Sequence, residues 1–470
     1  MQNHARLSFH GAARNVTGSC YILETGNSRV MIDCGYYQER HFKHRNWEPF
    51  PVHAPEIDAV LLTHAHLDHC GLIPKLIHEG FKGSIYCTPA TEDIAKIVLK
   101  DAAHLQEEDA AYKKKRHAKE GRKGPHPEIP LYTVEDAEKA FPHFHSMAYE
   151  EVFEPVKNLR VSFHDAGHIL GSSMLQIDFK TDGAEKRILF SGDIGRSNVP
   201  ILCDPTIFKK ADYAVVESTY GDRVHADNST IPEQLADIVN TTWKAGGNII
   251  IPSFAVERTQ ELLYHLSGLF RKNLIPHIRV FLDSPMAIRV TDVFHRHAYL
   301  FDTETVNLLK EGRHPCDFPG LTMTTSTEES KAIADFKEPS IIIAGSGMCT
   351  GGRVKHHIKA NVTRPESALL FIGYQASGTL GRIFIEGAEE VRIHGKMHRV
   401  SARIEKINGF SAHADRNELL SWVDAITDRP KCVFVTHGET EAAISFAELI
   451  ENRLELTTIV PHYGEASDLT

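Results

Sequence analysis

The 470-residue chain predicts an α/β protein in which a parallel-sheet domain is inserted into a second, sheet-rich domain. Three observations carry that reading. Short strands closed by turn residues, such as "SCYILETG", "RVMIDCG" and "AVLLTH", fill the first part, and they resume as "LRVSFHDAG", "SSMLQIDF" and "KRILFSGD" after a helical excursion over 91–150. From about 220 the pattern changes to strand-then-helix units, among them "NIIIPSFAVERTQELLYHLSGLF", "IRVFLDSPMAIRVTDVF" and "SIIIAGSGMCTGGRVKHHIKA", followed by the strand "ALLFIGY". Alternation of that kind marks parallel strands with crossover helices. Near 390 alternating strands return in "EVRIHGKMHRVSARIEKIN", and the chain ends on the strand "KCVFVTHGE" and the helix "TEAAISFAELIENRL". The expected boundaries are therefore 1–219 and 394–470 for the outer domain and 220–393 for the insert.

Composition narrows the class. With 24% of positions charged and 42% hydrophobic, the chain has the profile of a soluble globular enzyme with enough apolar residues for two cores. No apolar run reaches the roughly 18 residues of a membrane helix, and the opening "MQNHARLSF" lacks the apolar centre of a signal peptide, so a cytoplasmic location is expected. Eight scattered cysteines form no C-x-x-C pair, which excludes a zinc ribbon or a disulfide scaffold and fits free thiols in a reducing compartment. Histidine is in excess at 29, and several histidines adjoin acidic residues, as metal sites require. A net charge of −10 argues against a broadly basic surface for nucleic acid, while leaving room for a local positive groove.

The stretch "THAHLDHCG" places His64, His66, Asp68 and His69 at i, i+2, i+4 and i+5, directly after the apolar run "AVLL". This is not the one-face spacing of a helical metal motif. A loop that leaves a strand and enters a helix splays adjacent donors in different directions, so neighbouring residues can serve two ions. Any one of these histidines, taken alone, reads as an ordinary core or surface residue; four donors in six positions do not. Three more donors, His168, Asp193 and His437, sit at the ends of predicted strands and complete two coordination spheres. Imidazole with carboxylate suits zinc, at ~2.0–2.2 Å. Manganese accepts the same set with lower affinity.

The motif H-x-H-x-D-H at His64, His66, Asp68 and His69 resembles that of the metallo-β-lactamase superfamily, and Asp33 in "VMIDCG" matches the family's aspartate before its first glycine turn. The resemblance implies an αββα sandwich carrying two zinc ions. One ion would be held by His64, His66 and His168 and the other by Asp68, His69 and His437, with Asp193 between them and Asp33 orienting a ligand. Two such ions lower the pKa of a shared water toward neutrality and supply a hydroxide nucleophile, so hydrolysis is the implied chemistry. The motif says little about substrate, because thioesters, lactams and phosphodiesters are all cleaved on this fold.

The insert speaks to substrate. "AVVESTYG" with Glu217, "GFSAHAD" with His413 and "FVTHGE" with His437, together with "PSFAVERTQELL", "GSGMCTGG" and "GYQASGTLGR", resemble the β-CASP group over almost the whole chain. That group acts on nucleic acids, and its insert would be the β-CASP domain. Phosphodiester cleavage needs a proton for the departing oxygen, and His413, its cation stabilised by Glu217, would supply it. A histidine at 437 resembles the RNA-processing branch, and "GFSAHAD" is closer to the 73-kDa subunit of the cleavage and polyadenylation specificity factor than to RNase J. The implied activity is a metal-dependent endoribonuclease on single-stranded RNA in a cleft between the domains, with Asp68, Asp193, Glu217 and His413 as its catalytic residues. A 5′-3′ exonuclease mode, DNA cleavage, a thioester-type small-molecule hydrolase and a non-catalytic RNA-binding scaffold remain as alternatives. The resemblance also implies a homodimer.

"AGSGMCTGGRVK" opens a helix as phosphate loops do. It fails as a dinucleotide fingerprint because Thr350 stands where the third glycine belongs, and as a P-loop because Arg353 and Val354 replace Lys and Ser/Thr. The reading that survives is a backbone cradle for an RNA phosphate, with Ser346 and Gly347 in it and Arg353 and Arg258 nearby. For Arg258 an ion pair with a neighbouring glutamate is the competing reading, and for Arg353 a structural turn is. The basic run "YKKKRHAKEGRKGPH" reads more readily as a solvated helix face than as an RNA track, and His143 and His145 in "PHFHS" read as surface residues.

Overall fold

The computed structural model describes residues 4–121, 124 and 128–470. Its first unit is built on two seven-stranded sheets. One runs β22 (Ala466–Leu469), β1 (Ala5–Phe9), β2 (Tyr21–Thr25), β3 (Ser28–Ile32), β4 (Ala59–Leu61), β5 (Ser84–Cys87) and β6 (Phe144–Ser146). The other runs β21 (Thr458–Ile459), β20 (Cys432–Thr436), β11 (Tyr213–Glu217), β10 (Ala184–Phe190), β9 (Ser173–Thr181), β8 (Leu159–Asp165) and β7 (Phe153–Val156). In the first sheet β1, β2 and β3 pair antiparallel and β3 to β6 parallel. In the second, β7 to β10 are antiparallel, and β10, β11, β20 and β21 are parallel.

The two sheets face each other across one core. Leu7, Phe9, Leu23, Val30 and Ile32 meet Val161, Phe163, Leu175, Ile177, Phe179, Phe190 and Phe434, all buried. Residues 175, 177 and 179 alternate along β9, which is the period-two pattern of a strand with one face on a core. Burying each such side chain contributes about 1.5–3 kcal/mol. Behind the second sheet, Leu189, Val216, Val433 and Val435 pack on Trp422 and Val423 of helix Arg416–Asp424 and on Phe446 and Ile450 of helix Thr440–Leu454. Behind the first lies the helical excursion, a helix over Pro89–Glu120. It starts at Thr88, whose hydroxyl accepts from the Thr91 amide, with proline in the first turn, and ends at Gly121 in the left-handed region at φ 65°. The result is the αββα sandwich that the sequence implies.

The second unit is a six-stranded, all-parallel sheet in the order β14 (Leu321–Met323), β13 (Arg279–Asp283), β15 (Ser340–Ala344), β12 (Ile249–Pro252), β16 (Ala368–Phe371), β19 (Arg403–Lys406). The hairpin β17 (Glu390–Ile393) and β18 (Lys396–Arg399) accompanies it. Crossover helices Arg258–Arg271, Pro285–Arg296 and Val354–Asn361 follow β12, β13 and β15, as the strand-then-helix text predicts.

The division of the chain differs from the expected boundaries. The first unit comprises Met1–Ser197, Asp204–Val224 and His413–Thr470, and the second Asn198–Cys203 and His225–Ala412. The strands over 390–406, which read as the return of the outer domain, belong to the insert: Val391 and Ile393 lie in its core, and β19 extends its sheet. Alternation reports that one face of a strand is buried, not whose core buries it. Asn198–Cys203 joins the same unit by pairing Leu202 with Phe301. Among the described residues no helix is long and apolar enough to cross a membrane, and all eight cysteines are free.

Candidate active site

Strands β3 and β4 run parallel in the first sheet, and β8, β10, β11 and β20 all run one way in the second. Just past or at their last residues stand Asp33, His64, His168, Asp193, Glu217 and His437. At this end of a parallel sheet the chain leaves its ladder and side chains are released into loops. The dense motif has the form the sequence predicts. The backbone leaves β4 extended, so His64 and His66 share one side; His66 then caps the one-turn helix Leu67–Cys70, which carries Asp68 and His69.

All seven predicted donors come together, His64, His66, His168 and Asp193 in one group and Asp68, His69 and His437 in another, and Asp193 also groups with Glu217 and His437. His66 Nδ1 lies 3.1 Å from His64 Nε2 and 3.2 Å from His168 Nε2. Asp193 Oδ2 is 3.5 Å from His64 Nε2 and 3.6 Å from His168 Nε2. In the second group His69 Nε2 and His437 Nε2 are 3.0 Å apart, and Asp68 Oδ2 is 3.8 Å from His437 Nε2. Asp193 Oδ1 is 3.4 Å from His69 Nε2. Tetrahedral ligands at ~2.0–2.1 Å from an ion stand about 3.3 Å from one another, so these are the separations of donors around a cation. The buried Asp193 Oδ1 has no hydrogen-bond partner, an orphaned acceptor that a cation would satisfy. The donor set therefore fits divalent metal.

The electrostatics differ across the donors: burial disfavours the His69 and His437 cations, but Asp193, with Asp33 for His69 and Asp68 for His437, outweighs it and raises both. Burial pushes His64 well below its ordinary pKa and His66 down to about 4, leaving nitrogen lone pairs available at neutral pH. Burial alone would raise Asp193, but His437, His69 and His64 outweigh it and hold the carboxylate ionised. Asp33 stands behind the site, where its carboxylate accepts from His69 Nδ1 at 2.7 Å and from the Thr63 amide at 2.8 Å. That bond fixes the ring so that Nε2 faces the other donors. Thr63, whose hydroxyl also donates to Asp33, and Thr219, 3.1 Å from His437 Nδ1, are supporting residues that the sequence reading missed. Their only signal is adjacency to the motifs.

At the rim of this cluster His413 Nδ1 lies 3.2 Å from both oxygens of Glu217 and 3.9 Å from Asp193 Oδ2. Glu217 is buried and is aimed by the Ile194 amide, which donates to it at 2.6 Å. Burial works against the His413 cation, yet Glu217, with Asp193 and Asp68, prevails and lifts its pKa to about 9.

The residues expected to grip phosphate all lie in the second unit, and two are otherwise engaged. Arg258 is buried and paired with Glu261, one turn along its helix. Arg353 donates to Asp283 Oδ1 at 2.7 Å and to the Thr325 carbonyl at 2.8 Å. For both, the ion-pair or structural reading has one physical cause: a guanidinium beside a buried carboxylate is held more firmly than one awaiting a ligand. Ser346 Oγ accepts from the amides of Thr350 and Gly351, closing its own loop. In the basic run Lys113 pairs with Asp109 and His117 with Glu128, and residues 122, 123 and 125–127 lie outside the described residues. His143 donates to the Gly83 carbonyl, and His145 is exposed on β6.

Asp283 is the hub of that second arrangement, also accepting from Thr324, Ser330 and His357 at 2.6–2.7 Å. Burial opposes its ionisation, but His357, Ser330, Thr324 and Arg353 together hold its carboxyl well below the usual range. Asp283→Ala is expected to cost about 3 kcal/mol or more in urea unfolding at pH 7. A depressed pKa stabilises the fold above the unfolded value of ~3.9 and loses that contribution as pH falls through the folded value. The gap between wild type and variant therefore narrows below about pH 4, and a gap independent of pH would contradict this account.

A four-layer sandwich with seven converging imidazoles and carboxylates at one sheet edge defines a metal-dependent hydrolase. The family comparisons agree segment by segment: residues 22–210 match the metallo-beta-lactamase superfamily domain, 259–383 the Beta-Casp domain, and 397–461 the Zn-dependent metallo-hydrolase RNA specificity domain. The chain belongs to the β-CASP group of RNA-processing nucleases within the metallo-β-lactamase superfamily, and it is a metal-dependent hydrolase that acts on RNA. It is 37% identical over 460 residues to Ribonuclease TTHA0252 of Thermus thermophilus, covering 98% of this chain and 99% of that one. It is 32% identical to an RNase J-like protein of Methanocaldococcus jannaschii, covering 97% and 98% of the two chains. It is 33% identical to Transcription termination factor FttA of Methanosarcina mazei, covering 96% of this chain and 70% of that longer one. A crystal structure of a protein of unknown function from Enterococcus faecalis shares the fold, with a TM-score of 0.55 at 13% identity over 99% and 100% of the two chains.

Proposed function

We propose that the protein is a zinc-dependent endoribonuclease that cuts single-stranded RNA, with His64, His66, His168, Asp193, Asp68, His69 and His437 holding two ions. The observation that carries this reading is the His413–Glu217 pair beside the metal donors, since simple hydrolysis of an activated ester has no need of a second proton source. Ions bound there would stabilise charge on the phosphoryl oxygens and acidify a water to serve as nucleophile. The rest is done by side chains. Asp193 spans both donor groups with its two oxygens and fixes their spacing. Asp33 keeps the His69 ring in its orientation. Glu217 accepts from His413 Nδ1, which leaves Nε2 to give a proton to the departing oxygen, and the buried carboxylate favours the protonated ring until that transfer.

A time course on end-labelled linear RNA and on a covalently closed circular RNA tests the reading. Internal fragments from the linear strand and opening of the circle are expected with the metal-loaded protein. Release of single nucleotides from the 5′ end with the circle left intact would replace the endonuclease by an exonuclease. Two uncut substrates would sink the proposal.

A further inference from the structure

The glycine loops of the second unit also seat an aromatic ring. Phe254 leaves the middle strand β12 two residues past its end and is 40% exposed, although it is flanked by the buried residues of "IIIPS" and "VERTQ". Gly347, beyond the neighbouring strand β15, lies directly against the ring: a Cβ added there would stand 2.7 Å from Cδ2 and 2.8 Å from Cε2 of Phe254. Gly373, beyond the other neighbour β16, is also beside it, with its added Cβ 3.6 Å from Cε2. The ring thus rests on bare backbone from both sides of the carboxyl edge of the parallel sheet, where ligands of open α/β sheets bind.

The support is rigid. Gln375 is buried, and its Nε2 donates to the carbonyls of both Gly347, at 2.9 Å, and Gly373, at 3.2 Å, tying the two loops together. The Phe254 carbonyl accepts from Thr259 Oγ1 at 2.6 Å, and the Ser253 amide donates to the Ala344 carbonyl at 3.1 Å. Single exposed apolar residues are ordinary and need no function. An exposed ring seated on two glycines, whose loops a buried glutamine ties together, is different, because its seat is braced while the ring stays open to solvent. Flat, π-bearing partners bind such a surface at little ordering cost.

We propose that Phe254 is a stacking platform for one base of the RNA strand, an inference that rests on the ribonuclease reading above. Stacking on an aromatic side chain is tolerant of sequence, so the platform would grip a strand without selecting its bases. Phe254 lies in the second unit and all seven metal donors lie in the first.

The test measures cleavage of RNA by metal-loaded protein and, separately, binding of a fluorescent single-stranded RNA by the full chain in chelator. Phe254→Ala is expected to bind about 5- to 100-fold more weakly, with metal content and kcat kept and KM raised. Phe254→Trp is expected to restore affinity, and Trp243→Ala, which removes an exposed aromatic on helix Ile231–Lys244, to change nothing. An RNA with one abasic site placed at each position in turn supplies the second half of the cycle. At one position wild type loses the same factor, while Phe254→Ala loses none. Wild-type affinity in Phe254→Ala, with RNA still cut, overturns the platform and leaves the nuclease standing. Neither binding nor cleavage by wild type overturns the nuclease and the platform with it.

Discussion

Alanine at both Asp68 and His69 is expected to leave end-labelled RNA uncut, with a rate at least ~10³-fold below wild type, and to remove about one metal ion per chain. The two residues sit on one turn of helix and both face His437, so the double change removes one donor group and spares the other. His64, His66, His168 and Asp193 remain to hold a single ion, which elemental analysis would count. Such a loss is large because each 1.36 kcal/mol is a factor of ten in rate, and an ion at developing charge supplies several kcal/mol. Fragments at the wild-type rate from the double variant would show that the chemistry lies elsewhere.

His413→Ala is expected to give the second large loss, about 10²- to 10⁴-fold, with both ions retained. His413 belongs to neither donor group, and its partner is the carboxylate of Glu217. The distinguishing measurement uses an RNA whose scissile 5′ oxygen is replaced by sulfur. A thiolate departs without a proton, so on that substrate the variant is expected to recover most of the wild-type rate. Equal defects on the oxygen and sulfur substrates would assign His413 to positioning rather than to proton transfer.

The metal centre was legible because its donors are concentrated. Four of seven lie within six positions, and the other three follow apolar strands, so ligand chemistry and strand grammar point to the same edge. Glu217 and His413 are different: neither has a local pattern that separates it from any buried acid or half-buried histidine, and only resemblance to the β-CASP group singled them out. The compact units divide elsewhere than near 390 because the hairpin β17–β18 and strand β19 alternate as edge strands of either unit would. The two readings of Arg353 stayed open because its partner Asp283 is 70 positions away, and a guanidinium's commitment to a distant carboxylate leaves no mark nearby. The seat of Phe254 was hidden for the same reason, since its two glycines lie on other strands.

Asp193 and His437 also have a consequence for how the protein comes into being. Strand β20, which carries His437, pairs with β11, and 368 positions separate His69 from the His437 ring it meets. A ribosome adding 5–20 residues per second needs roughly 20 to 70 s to cover that distance. Throughout that interval the nascent chain holds the histidine-rich motif without the strand that completes its second donor group. The second donor group is therefore a late product of synthesis, complete only when the last part of the chain has been made and β20 has joined β11.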